Sequence, residues 1–451
     1  MDTLKTAKTK LLAANKDILE FINAFVDGKS FVETDAFMCS ETEFGDAPGE
    51  GVVGGFAAID GVSVCLFATN PAVFKGSVGA LNAKKIVRAV NNAVRMNKPL
   101  VAVWDTSGAR IAEGIDCLEG YGDILRAFSI AYGEIPIVSI IKGANLGISS
   151  YVAGISDFVI ACPDSVMATA SPLVLAEKTG VKTVGTAKAL AEQGIVTSIV
   201  KKDGLKAAVS KILNMFTEDD INSGDDINRV CKGLKADSSV TDIIKQVFDK
   251  DTFLPVREAY AASVVTGLAA LGGTPVGVVA TDGKTNGGAL NSDACIKISE
   301  FLNVCENAEC PVVFLVDSVG TEKSASDHAL IREMSNLIYR INQLDVDMFA
   351  VVTGKAIGSA YTALVAPCEY KIAWESASVG AIESEAAARL LYADEIKSAK
   401  NKDKAVGKLA EEYSEENMSA LNIARSGHFD NVIEPNLTRS YLTAALVAHV
   451  E

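Results

Sequence analysis

The stretch "SIIKGANLGISSYVAGISDFVIA" (139–161) runs an apolar segment into glycines and small residues and then into a helical pattern. A helix that begins at such a turn leaves its first amides without internal partners, and those N–H groups favour negative charge. With Gly147 at the turn, the amides of Gly147 and Ile148 can converge on one developing oxyanion. A second stretch, "GKAIGSAY" (354–361), puts Gly358, Ser359 and Ala360 at the same point of a similar pattern. Small residues also let a helix pack closely on a strand, which is the competing reading; recurrence in a second place favours chemistry. "WDTSGARIAEG" (104–114) is again strand, turn and helix. Gly108 permits close backbone approach there, and Arg110 suits a carboxylate or a phosphate. The plainer alternative is a helix capped by Ser107 with Arg110 in solvent. "VDSVGTEKSASD" (316–327) holds the matching place without an arginine.

Side-chain acid–base chemistry has little to draw on. The chain has three histidines, His328, His428 and His449, so neither a His-centred metal site nor a Ser–His–Asp triad is expected. Glu113 and Glu383 lie in suggestive loops, but no matched pair of carboxylates is read as recurring. What recurs is backbone geometry. That pattern points to oxyanion stabilisation, with the base supplied by a substrate or a cofactor.

The elements that must position these loops come in two copies. "VVGGFAAIDG" (52–61) matches "VVTGLAALGG" (264–273) at an offset of 212, which is 264 less 52. "VWDTSG" (103–108) matches "LVDSVG" (315–320) at the same offset, and Gly147 and Gly358 stand 211 apart. "GALN" occurs at 79–82 and 288–291, offset 209, and is read as marking equivalent points, with Asn82 or Asn291 capping a helix. "GIVTSIV" (194–200) and "GHFDNVI" (427–433) share an apolar rhythm at an offset of 233, which implies an insertion in the second copy. Matches in one order mean a duplicated domain, not an array of short repeats. "PLVAVWD", "PIVSIIKG", "PVVFLVD" and "DMFAVVTG" read as buried strands, and "NAKKIVRAVNNAVRMN" and "SDACIKISEFLNVCEN" as helices. The alternation predicts an α/β fold with largely parallel pairing and chemistry past the carboxyl ends of strands. The acidic stretch 217–239 marks a linker, giving domains at 1–215 and 241–451 with 216–240 between them.

Composition narrows the function classes. At 451 residues the chain exceeds one ordinary core. A net charge of −15 argues against binding a nucleic-acid backbone, which needs a basic face. Nine cysteines without a CxxC pair read as reduced thiols, with no metal expected. The N-terminus lacks the apolar core of a secretory signal and no run of about 18 uncharged apolar residues occurs, so a cytoplasmic protein is expected.

"GARIAEG" (108–114) followed by "GYGDILRAFSIAYGEIPIVSII" (120–141) resembles the acyl-CoA carboxyltransferase family, which includes β subunits of biotin-dependent acyl-CoA carboxylases, transcarboxylase core subunits and acyl-CoA decarboxylase α subunits. "SVVTGLAALGGTPVGVVATD", "PVVFLVDSVG", "GKAIGSAY" and the closing "GHFDNVIEP" are similar to its C-terminal domain, so the resemblance runs from about Asp27 to Pro435. It implies two tandem crotonase-like domains built from repeated ββα units. It also implies dimer-based hexamers, with each active site between the N-terminal domain of one chain and the C-terminal domain of its partner. The implied chemistry moves CO2 between N1 of carboxybiotin and the α-carbon of a short acyl-CoA, with the released biotin anion as the base.

By the same resemblance, Gly147 and Ile148 hold the thioester enolate, and Ser359 and Ala360 the ureido oxygen of biotin. Ser107, Gly108, Ala109, Arg110, Gly143, Gly320, Gly358, Tyr361 and Thr362 fall at substrate-binding positions, Thr362 where the family tunes acyl-chain preference. The chain departs from the family pattern at Ile148 and Ser359, where glycines are usual, and at Gly354, where an arginine is usual. It carries no "AMKM" biotin-attachment motif and no four-cysteine zinc ribbon. Biotin is therefore expected on a separate protein, the partners being a biotin carboxyl carrier protein with biotin carboxylase, or a membrane decarboxylase subunit. The alternatives are the transferase subunit of a decarboxylase complex, a biotin-independent crotonase-type hydratase or isomerase using Glu113 or Glu383, and a non-catalytic CoA-binding scaffold.

Overall fold

Valine- and isoleucine-rich runs suit strands buried on both faces. Leu100–Thr106 and Ile137–Leu146 are such strands, as are Val312–Ser318 and Met348–Ile357. The computed structural model describes residues 3–42, 45–217, 221–324 and 326–450. The chain divides into two compact units, Met1–Thr217 and Glu218–Glu451.

In the first unit an antiparallel hairpin, Val52–Ile59 and Val62–Thr69, leads an eight-stranded sheet. Val32–Thr34 flanks it on one side, and Leu100–Thr106, Ile137–Leu146, Phe158–Ala161 and Ser198–Ile199 come after it on the other in parallel. Val166–Ala168 pairs the far end of Ile137–Leu146. The helices Ala80–Met96 and Ile115–Ala131 bury Ile86, Val90, Ile124 and Phe128 in a core shared with Phe67 and Trp104. The second unit repeats this order with Leu254–Val256, Val264–Leu271, Thr274–Thr281, Val312–Ser318, Met348–Ile357, Tyr370–Trp374 and Asn431–Ile433, with Ser378–Gly380 on the end of Met348–Ile357. These are two similarly built crotonase-like domains. Trp374 lies fully buried in the second core.

Three features refine the repeat. First, GALN does not mark equivalent points. Val78 bridges Ala109 and Leu290 bridges Thr321, so the local offset is 212, and Gly79 corresponds to Asn291. Asn291 caps its helix directly through the Ala294 amide (2.9 Å), whereas Asn82 reaches back to the Gly79 amide (2.8 Å). The tetrapeptide is a coincidence lying near a true duplication. Second, the extra residues of the second copy lie in the helices Ser384–Leu391, Ala393–Ser398 and Lys402–Asn417, which have their own small core of Ala388, Leu409 and Ala410. Beyond them Ser198–Ile199 and Asn431–Ile433 occupy like places, consistent with the 233 offset. Third, the acidic stretch contributes packing: Cys231 and Leu234 belong to the second core.

Candidate functional site

The strand ends that carry the loops are bulged in the same way in both units. Trp104 pairs with Ile141 and Thr106 with Asn145, so Asp105 alone faces Lys142, Gly143 and Ala144. A bulge ends regular pairing and re-aims the residues beyond it. Asp105 locks this one: its carboxylate accepts the Ala144 amide (3.2 Å) and the Lys142 ammonium (2.9 Å), and its amide donates to Thr69 Oγ1 (2.6 Å). A Cβ at Gly143 would come within 2.3 Å of that carboxylate, so the absence of a side chain at Gly143 makes room for it. In the second unit Asp317 faces Thr353, Gly354 and Lys355. It accepts the Lys355 amide (2.8 Å) while its amide donates to Thr281 Oγ1 (2.7 Å). Gly354 is again the residue a Cβ would force into the carboxylate, at 2.3 Å. A matched pair of carboxylates therefore does recur, contrary to the sequence reading, but as acceptors that hold a bulge.

Both bulged strands end at a glycine in a conformation that other residues adopt only with strain, φ 71°, ψ −137° at Gly147 and φ 53°, ψ −115° at Gly358. The helices Ile148–Gly154 and Ser359–Leu364 start there. The Gly147 amide donates to Ala168 O (2.9 Å) and the Gly358 amide to Gly380 O (2.8 Å), each continuing the pairing with a short neighbouring strand. This corrects the expected donor set: Gly147 shapes the turn, but its N–H is committed to the sheet. Among the described residues, the first amides at the helix starts have no acceptor in the chain: Ile148 and Ser149 in one unit, where Ser150 already donates to Gly147 O (3.0 Å), and Ser359, Ala360 and Tyr361 in the other, where Thr362 is the first to donate to Gly358 O (3.1 Å). The pair Ile148 and Ser149 corresponds to the pair Ser359 and Ala360 at an offset of 211, which is 359 less 148.

The neighbouring loop is brought to the same place. Gly108 (φ 96°) and Gly320 (φ 94°) press against the strand ends, where an added Cβ would lie 2.7 Å from Leu146 O and 2.8 Å from Ile357 O. Ser107 is exposed beside Gly108, and Ala109 packs on the first core. Tyr121, which the sequence reading passed over, is buried beside Thr106 and Ser149, and burial pushes its phenol up to about 12. In the second unit Tyr361 stacks edge-on against Phe429 with ring centroids 6.4 Å apart, and Thr362 is exposed with its Oγ1 3.4 Å from the Ser359 carbonyl. These residues gather around the two amide pairs, each within its own unit.

Arg110 does not. Its guanidinium is 6% exposed and pairs with Glu50 and Glu113, both at 3.0 Å, while lying over the Phe74 ring. It also donates to Ser77 O (3.2 Å). A cation enclosed in this way holds the turn together and has no face for a ligand, which corrects the expected binding role. Glu113 is equally occupied, since its other oxygen accepts the Ala80 amide (2.6 Å) at the start of a helix. Glu383 pairs with Lys323 (3.1 Å) and Lys355 (3.7 Å), and the Lys323 hydrogen bond leads in holding its carboxyl below the usual value. Neither glutamate is placed as a general acid.

Among the described residues no cluster of His, Cys, Asp and Glu could hold a metal ion, and no helix is long and apolar enough to cross a membrane. Residues 13–451 match the carboxyl transferase domain family. The chain is 30% identical to the propionyl-CoA carboxylase carboxyltransferase subunit of Haloferax mediterranei, over 95% of this chain and 89% of that one. It is also 30% identical to the methylmalonyl-CoA decarboxylase α subunit of Veillonella parvula, over 93% of this chain and 87% of that one. Among solved structures it is similar to the transcarboxylase 12S hexamer crystallised with methylmalonyl-coenzyme A and methylmalonic acid, with a TM-score of 0.91, 27% identity, and coverage of 100% of this chain and 96% of that one.

Proposed function

Because the chain belongs to the carboxyl transferase family of enzymes, we propose that it is the carboxyltransferase subunit of a biotin-dependent acyl-CoA system, acting on the α-carbon of a short acyl-CoA. The observation that carries this reading is the matched pair of open amides at Ile148–Ser149 and Ser359–Ala360, each set by a glycine turn. Transfer at a thioester α-carbon develops charge on the thioester oxygen, and a preorganised pair of amides stabilises such charge without side-chain ionisation. Ile148 and Ser149 would hold that oxygen. Ser359 and Ala360 suit a second neutral carbonyl acceptor, and the ureido oxygen of biotin fits a donor-only pair of this kind. Biotin, carried on a separate protein, would supply the CO2 and the base.

Glu113 and Glu383 are ion-paired, which favours this reading over a hydratase or isomerase that needs a free carboxylic acid. Similarity to both a carboxylase subunit and a decarboxylase subunit leaves the direction to the partner, a biotin carboxylase with its carrier or a membrane decarboxylase subunit. We expect a dimer-based hexamer, as in the transcarboxylase 12S assembly. The test is carboxyl exchange between an acyl-CoA and free biotin by the purified chain.

A further inference from the structure

Lys297, on the helix Ser292–Asn307, is 1% exposed and donates to the carbonyls of Tyr260 and Val264, both at 2.6 Å. An ammonium carries three protons, so one remains after these two bonds, and among the described residues no carboxylate lies within ion-pair distance of it, Glu258 acting on it only from further away. It lines a cavity of about 550 Å³ in the second unit, walled by Ile244, Phe253, Pro255 and Val265. Lys245, Lys250, Asp249, Asp251 and Glu258 also border the cavity, and Asp249 is already held by Arg439 at 2.6 Å. A buried charge without a directly bonded counter-charge is costly. Burial, with Arg257 adding to it and Glu258 only partly opposing it, drives the Lys297 ammonium down to about 8.

The first unit shows how this position is otherwise completed. Lys85 stands 212 positions before Lys297 and donates in the same way to Gly49 O (3.1 Å) and Val52 O (2.5 Å). Glu33 lies 3.9 Å from its ammonium. Glu33 pairs with Gly55 across the edge of its sheet, and Pro255 pairs with Gly267, the counterpart of Gly55. The second unit thus has a proline where the first has the carboxylate. Its connection from Val256 to Val264 is also shorter than that from Thr34 to Val52. Val53 is fully buried in the first unit, while its counterpart Val265 is only half-buried and faces the cavity.

We propose that this cavity binds a small aliphatic monocarboxylate, its charged end on the Lys297 ammonium and its chain along Ile244, Phe253 and Val265. The missing partner is by internal comparison a carboxylate, and the apolar walls select a hydrocarbon tail over a bare phosphate. The site is separate from the amide pairs and does not depend on the proposed transfer chemistry.

The experiment is calorimetric titration of the full-length chain with octanoate, and separately with inorganic phosphate. Pro255→Glu restores the carboxylate present in the first unit, on an edge strand where losing a proline is tolerated. The expected result is saturable octanoate binding at one site per chain, weakened at least about tenfold in Pro255→Glu, with carboxyl exchange unchanged. Lys297→Met gives the same loss if it folds. No saturable octanoate binding, equal binding by wild type and Pro255→Glu, or phosphate binding at this site in place of octanoate each overturns the proposal.

Discussion

The Gly147 amide donates to the Ala168 carbonyl across 2.9 Å, and this bond sets which amides of the first loop remain open. Ile148 is the first residue of the helix, where proline fits the backbone but removes the N–H. Its side chain packs against the first core, so any substitution there costs some packing. Ile148→Pro is expected to lower kcat for carboxyl transfer by about 10²–10³, the effect of removing one oxyanion donor. Ile148→Ala is expected to keep kcat within a few fold of wild type at a similar loss of stability. Comparing the two by steady-state kinetics and denaturant melts separates amide from side chain.

Gly147→Ala tests the turn itself. An added Cβ there meets nothing within 4 Å, so its whole effect is the strain of φ 71°, ψ −137°. The expected cost is about 1–3 kcal/mol of stability, with transfer reduced at least tenfold because the amides of Ile148 and Ser149 are re-aimed. A denaturant midpoint and a kcat equal to those of wild type would show the turn to be unstrained and unimportant.

Arg110 is predicted to be structural. Replacing it with Met leaves Glu50, which is 0% exposed, without its ion partner. Stability should fall by about 3–5 kcal/mol, as when one partner of a buried pair is removed. The Km for acyl-CoA of whatever folds should stay near that of wild type. A large rise in Km with unchanged stability would restore the binding role read from the sequence.

Acid sensitivity is predicted to centre on the second unit. Burial acts to raise the Asp249 carboxyl, but Arg439 and the amides of Gly272 and Gly273 outweigh it and hold the group below its usual value. A depressed folded-state value contributes stability that is fully present above the unfolded value of about 3.9 and is lost as pH falls through the folded one. Asp249→Asn should be less stable than wild type at pH 7 and should lose less on acidification. Denaturant midpoints measured across the acid range check this.

The duplication was legible because both copies keep the residues that lock the bulge, Asp105 with Asp317 and Gly143 with Gly354, as well as the turn glycines. The same alignment displayed the paired aspartates, yet their role was hidden, since a carboxylate that accepts an amide looks in sequence like one free to ionise a substrate. Arg110 was misread for a related reason. Its partner Glu50 lies sixty positions upstream, and at the offset of 212 the second copy has Ala262 and Glu322 in place of Glu50 and Arg110, so nothing in the repeat pointed to the pair. The register of a single bond, Gly147 to Ala168, is likewise a tertiary fact. It moved the open amide pair by one residue.

We propose that this chain transfers CO2 between an acyl-CoA and biotin through two amide pairs. This proposal is tested most directly by incubating the purified chain with labelled methylmalonyl-CoA or malonyl-CoA and free biotin, and tracking label in biotin and loss of the carboxylated thioester. Biotin-dependent transfer is expected, lowered by about 10²–10³ in Ile148→Pro and kept within a few fold of wild type in Ile148→Ala. Absence of both transfer and thioester binding across a range of acyl-CoAs, with the chain folded, would contradict it.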